Sequence, residues 1–364
     1  MIQFPSYWER EEWLNPPDLL IVGGGIVGAS IALFYKNKYP GHNVVITDKG
    51  FTPEGASTRN AGFACIGSVS EHLADIQISG EDTVLKRIER RWTGLQLLRE
   101  TLGEHALEYR NTGGFEIFTD HEKFIQCREN IGLMNELLKR QMGIEGIYSE
   151  KTYCGYPAIF NRVEGAVNSG RMMRILHDIL AKAGVRTWWN SEVKSVKSNR
   201  VVFNDGFEMH ADKIVLAVNG FIPRLAKLPV KPARGYVFVT KPIPNLPWTG
   251  TFHYDEGYVY FRNIGNRLLL GGGRNIAKEE ETTDVFGINP AVKKYLIHFA
   301  DHVLNLPKDW VIDIEWSGIM GMTGNKEPII KQLEPELWAA VGLSGMGVAI
   351  GMQVAKEVVD SLEF

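Results

Sequence analysis

Unbroken apolar runs of strand length recur along this chain, each followed by glycine-rich turns or by a longer helical stretch. The first run, Asp18-Leu19-Leu20-Ile21-Val22, leads into Gly23-Gly24-Gly25-Ile26-Val27-Gly28-Ala29-Ser30-Ile31-Ala32-Leu33-Phe34, which reads as a tight turn opening a helix. Asn43-Val44-Val45-Ile46-Thr47 is a second buried-strand pattern and ends in Asp48 and Lys49. Further on, Gly170-Arg171-Met172-Met173 leads into a predicted helix from Ile175 to Ala183, Val185 to Trp189 and Glu192-Val193 read as strands, and the run from Lys213 to Val218 ends in Asn219-Gly220. Near the C-terminus Leu337-Trp338-Ala339-Ala340-Val341 reads as a strand, Gly342 to Gly347 as a turn, and Val348 to Leu362 as a helix. A different pattern fills the middle. Thr112 to Phe118 and the stretch from Arg234 to Gly273 are strand-rich, and Tyr258-Val259-Tyr260-Phe261-Arg262, the turn Ile264 to Arg267 and Leu268-Leu269-Leu270 read as a hairpin.

The chain has 364 residues, which suggests about two domains, tandem or interleaved. At 44% hydrophobic and 23% charged it matches ordinary globular proteins, which excludes disordered, coiled-coil and collagen-like readings. Lys and Arg total 40 against 43 Asp and Glu, a net charge of -3 that offers no basis for gripping nucleic-acid phosphates. The three cysteines, Cys65, Cys127 and Cys154, lack CxxC spacing, so they suggest neither a disulfide framework nor a zinc motif and fit a reducing cytoplasm. The acidic, polar start carries no leader pattern, and no apolar run reaches the ~18 residues of a membrane span. The unusual count is 38 glycines, and their positions carry the chemistry.

Gly23, Gly25 and Gly28 match G-x-G-x-x-G: the first permits the turn, the second admits a pyrophosphate, and the third lets helix pack on strand. The helix N-terminus then faces the phosphates, and Asp48, at the end of the second strand, is placed to bond the adenosine ribose hydroxyls. NAD and FAD sites share this half. Two further features favour a flavin. Gly55-Ala56-Ser57-Thr58-Arg59-Asn60-Ala61-Gly62-Phe63-Ala64 is a small-residue segment allowing close backbone approach, and the C-terminal glycine turn opens a second helix whose N–H groups would favour the negative charge of a reduced flavin.

Taken in order, these segments resemble the D-amino-acid oxidase superfamily of FAD-dependent oxidoreductases, which includes glycine oxidase, sarcosine oxidase and γ-glutamylputrescine oxidase. The resemblance implies an α/β fold in which an FAD-binding Rossmann-like domain of glutathione-reductase type (residues 17 to 80, 160 to 224 and 316 to 364) is interleaved with a mixed-sheet α+β substrate domain (81 to 159 and 225 to 315). It implies cofactor contacts from Gly23, Gly25, Ile26, Val27, Gly28, Asp48, Lys49, Ser57, Ala61, Gly62, Phe63, Val193 (by its backbone, at the adenine end), Ala217, Asn219, Gly220, Gly318, Gly345, Met346 and Gly347. The hairpin sheet is expected to roof the flavin. Hydride would pass from a carbon beside nitrogen to flavin N5, with oxygen or an electron-transfer partner as final acceptor.

The substrate side departs from the relatives. The Trp-x-Gly-x-Arg-Pro signature that holds a carboxylate in glycine oxidase-like enzymes reads Trp316-Ser317-Gly318-Ile319-Met320-Gly321, with Met320 at the arginine position. The lysine of sarcosine oxidase-like enzymes is Ala349, and their covalent cysteine near Gly318 is missing, so the FAD is expected to be noncovalent. Arg59, Arg262 and Arg274 are the candidates for another cation, Arg59 also readable as a solvated loop residue and Arg262 as a surface arginine of the hairpin; His253, Tyr254, Tyr258 and Tyr260 offer hydrogen bonds and an aromatic wall, or sheet packing. Arg262, Tyr258, His253 and Arg59 are the residues expected to meet substrate. Cys65 reads as a small buried thiol or a cofactor neighbour, and Lys326 and Glu327 as an entrance or a solvated turn. Alternatives are a flavin-dependent 2-hydroxy acid or polyol-phosphate dehydrogenase, and a flavin-binding protein without turnover.

Overall fold

A computed structural model describes residues 5–362. The chain folds into two compact units that share it in alternation: the first holds Met1–Thr58, Gly170–Pro232 and Met320–Phe364, the second Arg59–Ser169 and Ala233–Ile319.

The first unit is built on a six-stranded sheet in the order Ile329–Glu334, Leu337–Val341, Lys213–Leu216, Leu19–Val22, Val44–Thr47, Arg186–Trp188. All neighbours are parallel except the edge strand Ile329–Glu334. Strands of a parallel sheet covered on both faces must be apolar throughout, which is why Leu19, Leu20 and Ile21 read as a continuous run and have no exposed surface. From Leu19–Val22 the chain goes one way to Val44–Thr47, while Lys213–Leu216 lies on its other side. The loop at Gly23 therefore leaves the sheet at the switch point, where open α/β sheets form their ligand crevice. The helices Ile26–Lys38 and Gly347–Ser361 pack together through Gly351, where an added Cβ would come 2.9 Å from Ile26 Cγ2.

The second unit centres on an eight-stranded mixed sheet: Ile312–Met322, Lys231–Thr240, Arg267–Gly272, Val259–Ile264, Thr251–Tyr254, Gly114–Ile117, Tyr156–Asn161, Tyr148–Tyr153. One face carries the aromatic core of Phe238, Trp248, Phe252, Phe261 and Phe299 with the helix Pro290–His302. Alternation sends the intervening residues to the opposite face, where the register aligns Glu116, His253 and Tyr260 in one row across adjacent strands.

The boundaries differ from those read off the sequence, which end the first segment near 80 and reopen the unit near 160. Residues 59–80 and 160–169 belong to the second unit. Phe63–Ala64 pairs antiparallel with Gly165–Ala166, and the helix Val69–Ser79 packs on Glu81–Leu102, so both stretches are anchored by second-unit partners.

Candidate functional site

In the first unit the glycines form a cradle whose dimensions are set by missing side chains. Gly23 has φ +112, and a Cβ there would lie 2.7 Å from the Ala217 carbonyl oxygen. On Gly28 a Cβ would come 1.9 Å from the Gly23 carbonyl, so only glycine lets the helix start against its own turn. On Gly25 it would meet Ser57 Oγ at 2.9 Å. Ser57 Oγ also accepts a hydrogen bond from Ile26 N at 2.9 Å, while Gly25, the N-cap, supplies no side-chain cap. The first-turn N–H groups of Ile26–Lys38, those of Val27 and Gly28 included, have no carbonyl one turn back, and they carry the positive end of the helix dipole.

Asp48 sits at the rim of this cradle. Its Oδ2 accepts from Gly24 N and its Oδ1 from Gly50 N, each at 2.8 Å, which fixes the carboxylate and leaves lone pairs for further donors. Burial raises its pKa above the ordinary aspartate value, and the two N–H bonds only partly offset this. Beside it is a residue with no local sequence signal. His177 Nε2 lies 2.8 Å from the Gly24 carbonyl oxygen, its ring packs 4.9 Å from Trp189, and its buried Nδ1 has no partner among the described residues. An orphaned buried nitrogen next to a fixed carboxylate is what an absent polar ligand leaves behind.

The rest of the predicted set in this unit is held by protein. The Lys49 ammonium lies 3.6 Å over the Phe221 ring. Val193 is buried at the start of Val193–Lys197, opposite Phe203. Ala217 N donates to Val22 O, and Gly220 lies in the 3-10 turn Asn219–Arg224. Asn219 Oδ1 accepts from Gly342 N at 3.0 Å and Leu343 N at 3.3 Å, so its side chain brackets the C-terminal turn. That turn runs through Gly345, at φ +84, to Met346, which caps Gly347–Ser361 with no side-chain hydrogen bond. A second helix N-terminus is thus open, and Met320 Sδ lies 3.6 Å from where a Gly345 Cβ would be.

In the second unit Arg59 is pinned: Nη1 donates to Ser317 O at 3.1 Å, the guanidinium lies 4.4 Å over Phe286, and Trp316 Nε1 donates to the Arg59 carbonyl. Gly318 serves this packing, because a Cβ there would sit 3.1 Å from Arg59 Cβ. Asn60 Oδ1 accepts from Gly62 N and Ser169 Oγ, shaping the turn in which Gly62 has φ +73. Ala61, like Tyr260 and Trp316, packs against the buried cluster of Val237, Val239 and Leu269, and the Phe63 ring lies edge-on to His253 and Tyr260 at 5.3 and 5.8 Å.

Arg262 is the informative cation. Its Nη1 donates to the carbonyls of Gly62 at 2.8 Å and Val167 at 3.0 Å, while its buried Nε has no partner among the described residues. Among the described residues no carboxylate pairs with it. Burial, with the like charge of Arg110, pulls its pKa down to about 10. His253, by contrast, is spoken for: Nε2 lies 2.5 Å from Glu164 Oε1, and Glu164 is 1% exposed. Tyr258 is 39% exposed, outside the row formed by Glu116, His253 and Tyr260.

Comparison with known proteins settles the family. The family model described as FAD dependent oxidoreductase (DAO) matches residues 18–361. The chain belongs to this family of FAD-dependent oxidoreductases. Glycine oxidase of Geobacillus kaustophilus is 24% identical over 95% of this chain and 93% of its own length, and gamma-glutamylputrescine oxidoreductase of Escherichia coli is 25% identical over 91% and 80%. The crystal structure of the Geobacillus kaustophilus glycine oxidase superposes with a TM-score of 0.74 at 20% identity, covering 96% of each chain, which shows a common fold. This FAD-dependent oxidoreductase has no described helix long and apolar enough to cross a membrane.

Proposed function

We propose that this FAD-dependent oxidoreductase oxidises the C–N bond of a small amine or amino acid that carries a carboxylate, and that Arg262 receives that carboxylate. The observation carrying the reading is Arg262 itself: a half-buried guanidinium with no acid partner among the described residues, Nη1 spent on two carbonyls and the buried Nε unpaired. A buried charge left uncompensated is costly, and a bidentate carboxylate relieves that cost most directly. The relatives' names point the same way, since glycine is an amino acid and gamma-glutamylputrescine an amine bearing one.

The first unit fits FAD. The pyrophosphate would lie over the Gly23 to Gly28 turn against the N-terminus of Ile26–Lys38, with Asp48 and His177 toward the ribose hydroxyls. Gly345, Met346 and Gly347 would offer the second helix N-terminus to the flavin's pyrimidine edge. Bound FAD supplies the hydride acceptor, and no cysteine stands near Gly318 to tether it, so retention is noncovalent. The residues of the chain orient and desolvate. Arg262 fixes the carboxylate end, Phe63 and Tyr260 offer an apolar wall that excludes water, and no separate acid or base is needed if the amine binds neutral. Lowering of the Arg262 pKa is reversed when a carboxylate arrives, because an opposite charge favours the protonated form. The final acceptor would be oxygen or an electron-transfer partner, in a cytoplasmic setting.

Anaerobic mixing of the purified yellow protein with amines, D- and L-amino acids and their amides tests the reading. Bleaching is expected with carboxylate-bearing amines and much weaker with the amides. Bleaching by 2-hydroxy acids alone would transfer the assignment to alcohol oxidation.

A further inference from the structure

A recess of about 10 Å3, the space one water needs, lies within the second unit beside Glu116, Tyr148, Asn161, Glu164 and His253. Glu164 and His253 line it, and with Cys65 they bring three kinds of metal donor together: one ligand atom from each lies within 4.8 Å of the others. They come from chain segments far apart. Cys65 follows the strand Phe63–Ala64, Glu164 precedes its partner Gly165–Ala166, and His253 belongs to Thr251–Tyr254.

All three donors are withdrawn from solvent, with Cys65 6%, Glu164 1% and His253 8% exposed. A metal ligand set of one thiolate, one carboxylate and one neutral imidazole carries two negative charges, which a divalent ion would offset.

We propose that Cys65, Glu164 and His253 bind one zinc-type divalent cation, with a water in the recess as fourth ligand. Thiolate and imidazole select zinc over magnesium or calcium. Tetrahedral bonds of about 2.3 Å to sulfur and 2.0–2.1 Å to nitrogen and oxygen put donors about 3.3–3.6 Å apart, so the His253–Glu164 contact opens by roughly 0.8 Å and Cys65 closes in. The outer shell is in place. Glu116, fixed by Ser68 and Ser70, faces His253, and Arg91, paired with Glu71 at 3.0 Å, balances the charge near Cys65. The ion would tie three distant segments together, a structural role that does not depend on the amine assignment.

The test uses the FAD-loaded protein, freed of metal by a chelator and dialysed against limiting zinc with excess magnesium. Metal content is read by plasma mass spectrometry and the coordination shell by zinc-edge X-ray absorption. The expected result is one zinc per chain with one sulfur at about 2.3 Å. Cys65→Ser loses the sulfur and weakens binding by about tenfold or more. Zinc below a tenth of an equivalent, a sulfur-free shell, or a sulfur signal that survives in Cys65→Ser overturns the site. The last two outcomes would assign the metal to the surface, where His298 and His302 stack at 4.1 Å and Cys154 is exposed. Should Cys65→Ser not fold, as judged by circular dichroism, the sulfur count in the unmutated protein and the loss of affinity in Glu164→Gln decide.

Discussion

Replacing Arg262 with alanine separates its two jobs. On the structural side, the Gly62 carbonyl keeps its bond from Val167 N at 2.8 Å, so only the Val167 carbonyl loses a donor. An unsatisfied buried carbonyl costs about 1–3 kcal/mol. Against this, the variant no longer buries a guanidinium held at a pKa of about 10, and the relief of that desolvation is of similar size. The two terms nearly cancel, so stability should change by under about 2 kcal/mol, a shift in Tm of only a few degrees for a chain of this size. On the functional side, a lost bidentate contact to a carboxylate in a buried site costs about 2–5 kcal/mol, or roughly 30-fold to several thousand-fold in kcat/KM. The assay is steady-state turnover on an amino acid and on its amide, with FAD content measured in parallel. The wild-type preference for the acid should collapse in Arg262→Ala while FAD content holds. An acid-to-amide ratio equal in wild type and variant would show that Arg262 is only the clamp between Gly62 and Val167.

Other outcomes follow from the same geometry. KM for the carboxylate substrate should rise as pH climbs through about 10, because Arg262 then loses the charge that binds it; a flat KM in acid-tolerant and alkaline buffers alike would argue against the assignment. Gly25→Val should purify colourless, since its first side-chain carbon alone would sit 2.9 Å from Ser57 Oγ and its branches would occupy the pyrophosphate approach; retention of full flavin would contradict this. His177→Phe, which keeps the packing on Trp189 and removes the orphaned nitrogen, should weaken FAD binding by about 1 kcal/mol in a fluorescence titration of the stripped protein, with an unchanged Kd counting against its role. FAD should be released on acidification above the ordinary aspartate range, because burial raises the Asp48 pKa and protonation removes an acceptor; Asp48→Asn should flatten that profile.

Legibility in the sequence tracks locality. The strand, turn and helix from Leu19 to Lys38 announce themselves because each residue's role depends on neighbours a few positions away, and the C-terminal turn is legible for the same reason. The hairpin Val259–Ile264 and Arg267–Gly272 is read from alternation and turn chemistry alone. The unit boundaries are not. Whether Phe63 belongs to the first unit or the second is decided by a two-residue pairing with Gly165–Ala166, about which nothing local to Phe63 speaks. His177 acts on Gly24 from 153 residues away, on a helix whose apolar pattern gives no hint of a polar partner. Asn219 looks like a cofactor ligand beside a glycine, yet its amide oxygen is used on Gly342 and Leu343. Glu164, without which His253 reads as a free base, has no motif at all; only burial beside the imidazole reveals the pair.

Anaerobic reduction of the bound flavin, followed as loss of absorbance at about 450 nm, is the most direct test of the central claim. Amines and amino acids that carry a carboxylate should bleach the band stoichiometrically, and the corresponding imine-derived carbonyl compound should appear. A protein that keeps its FAD and is bleached by no amine or amino acid, at any pH where Arg262 is charged, would contradict the account.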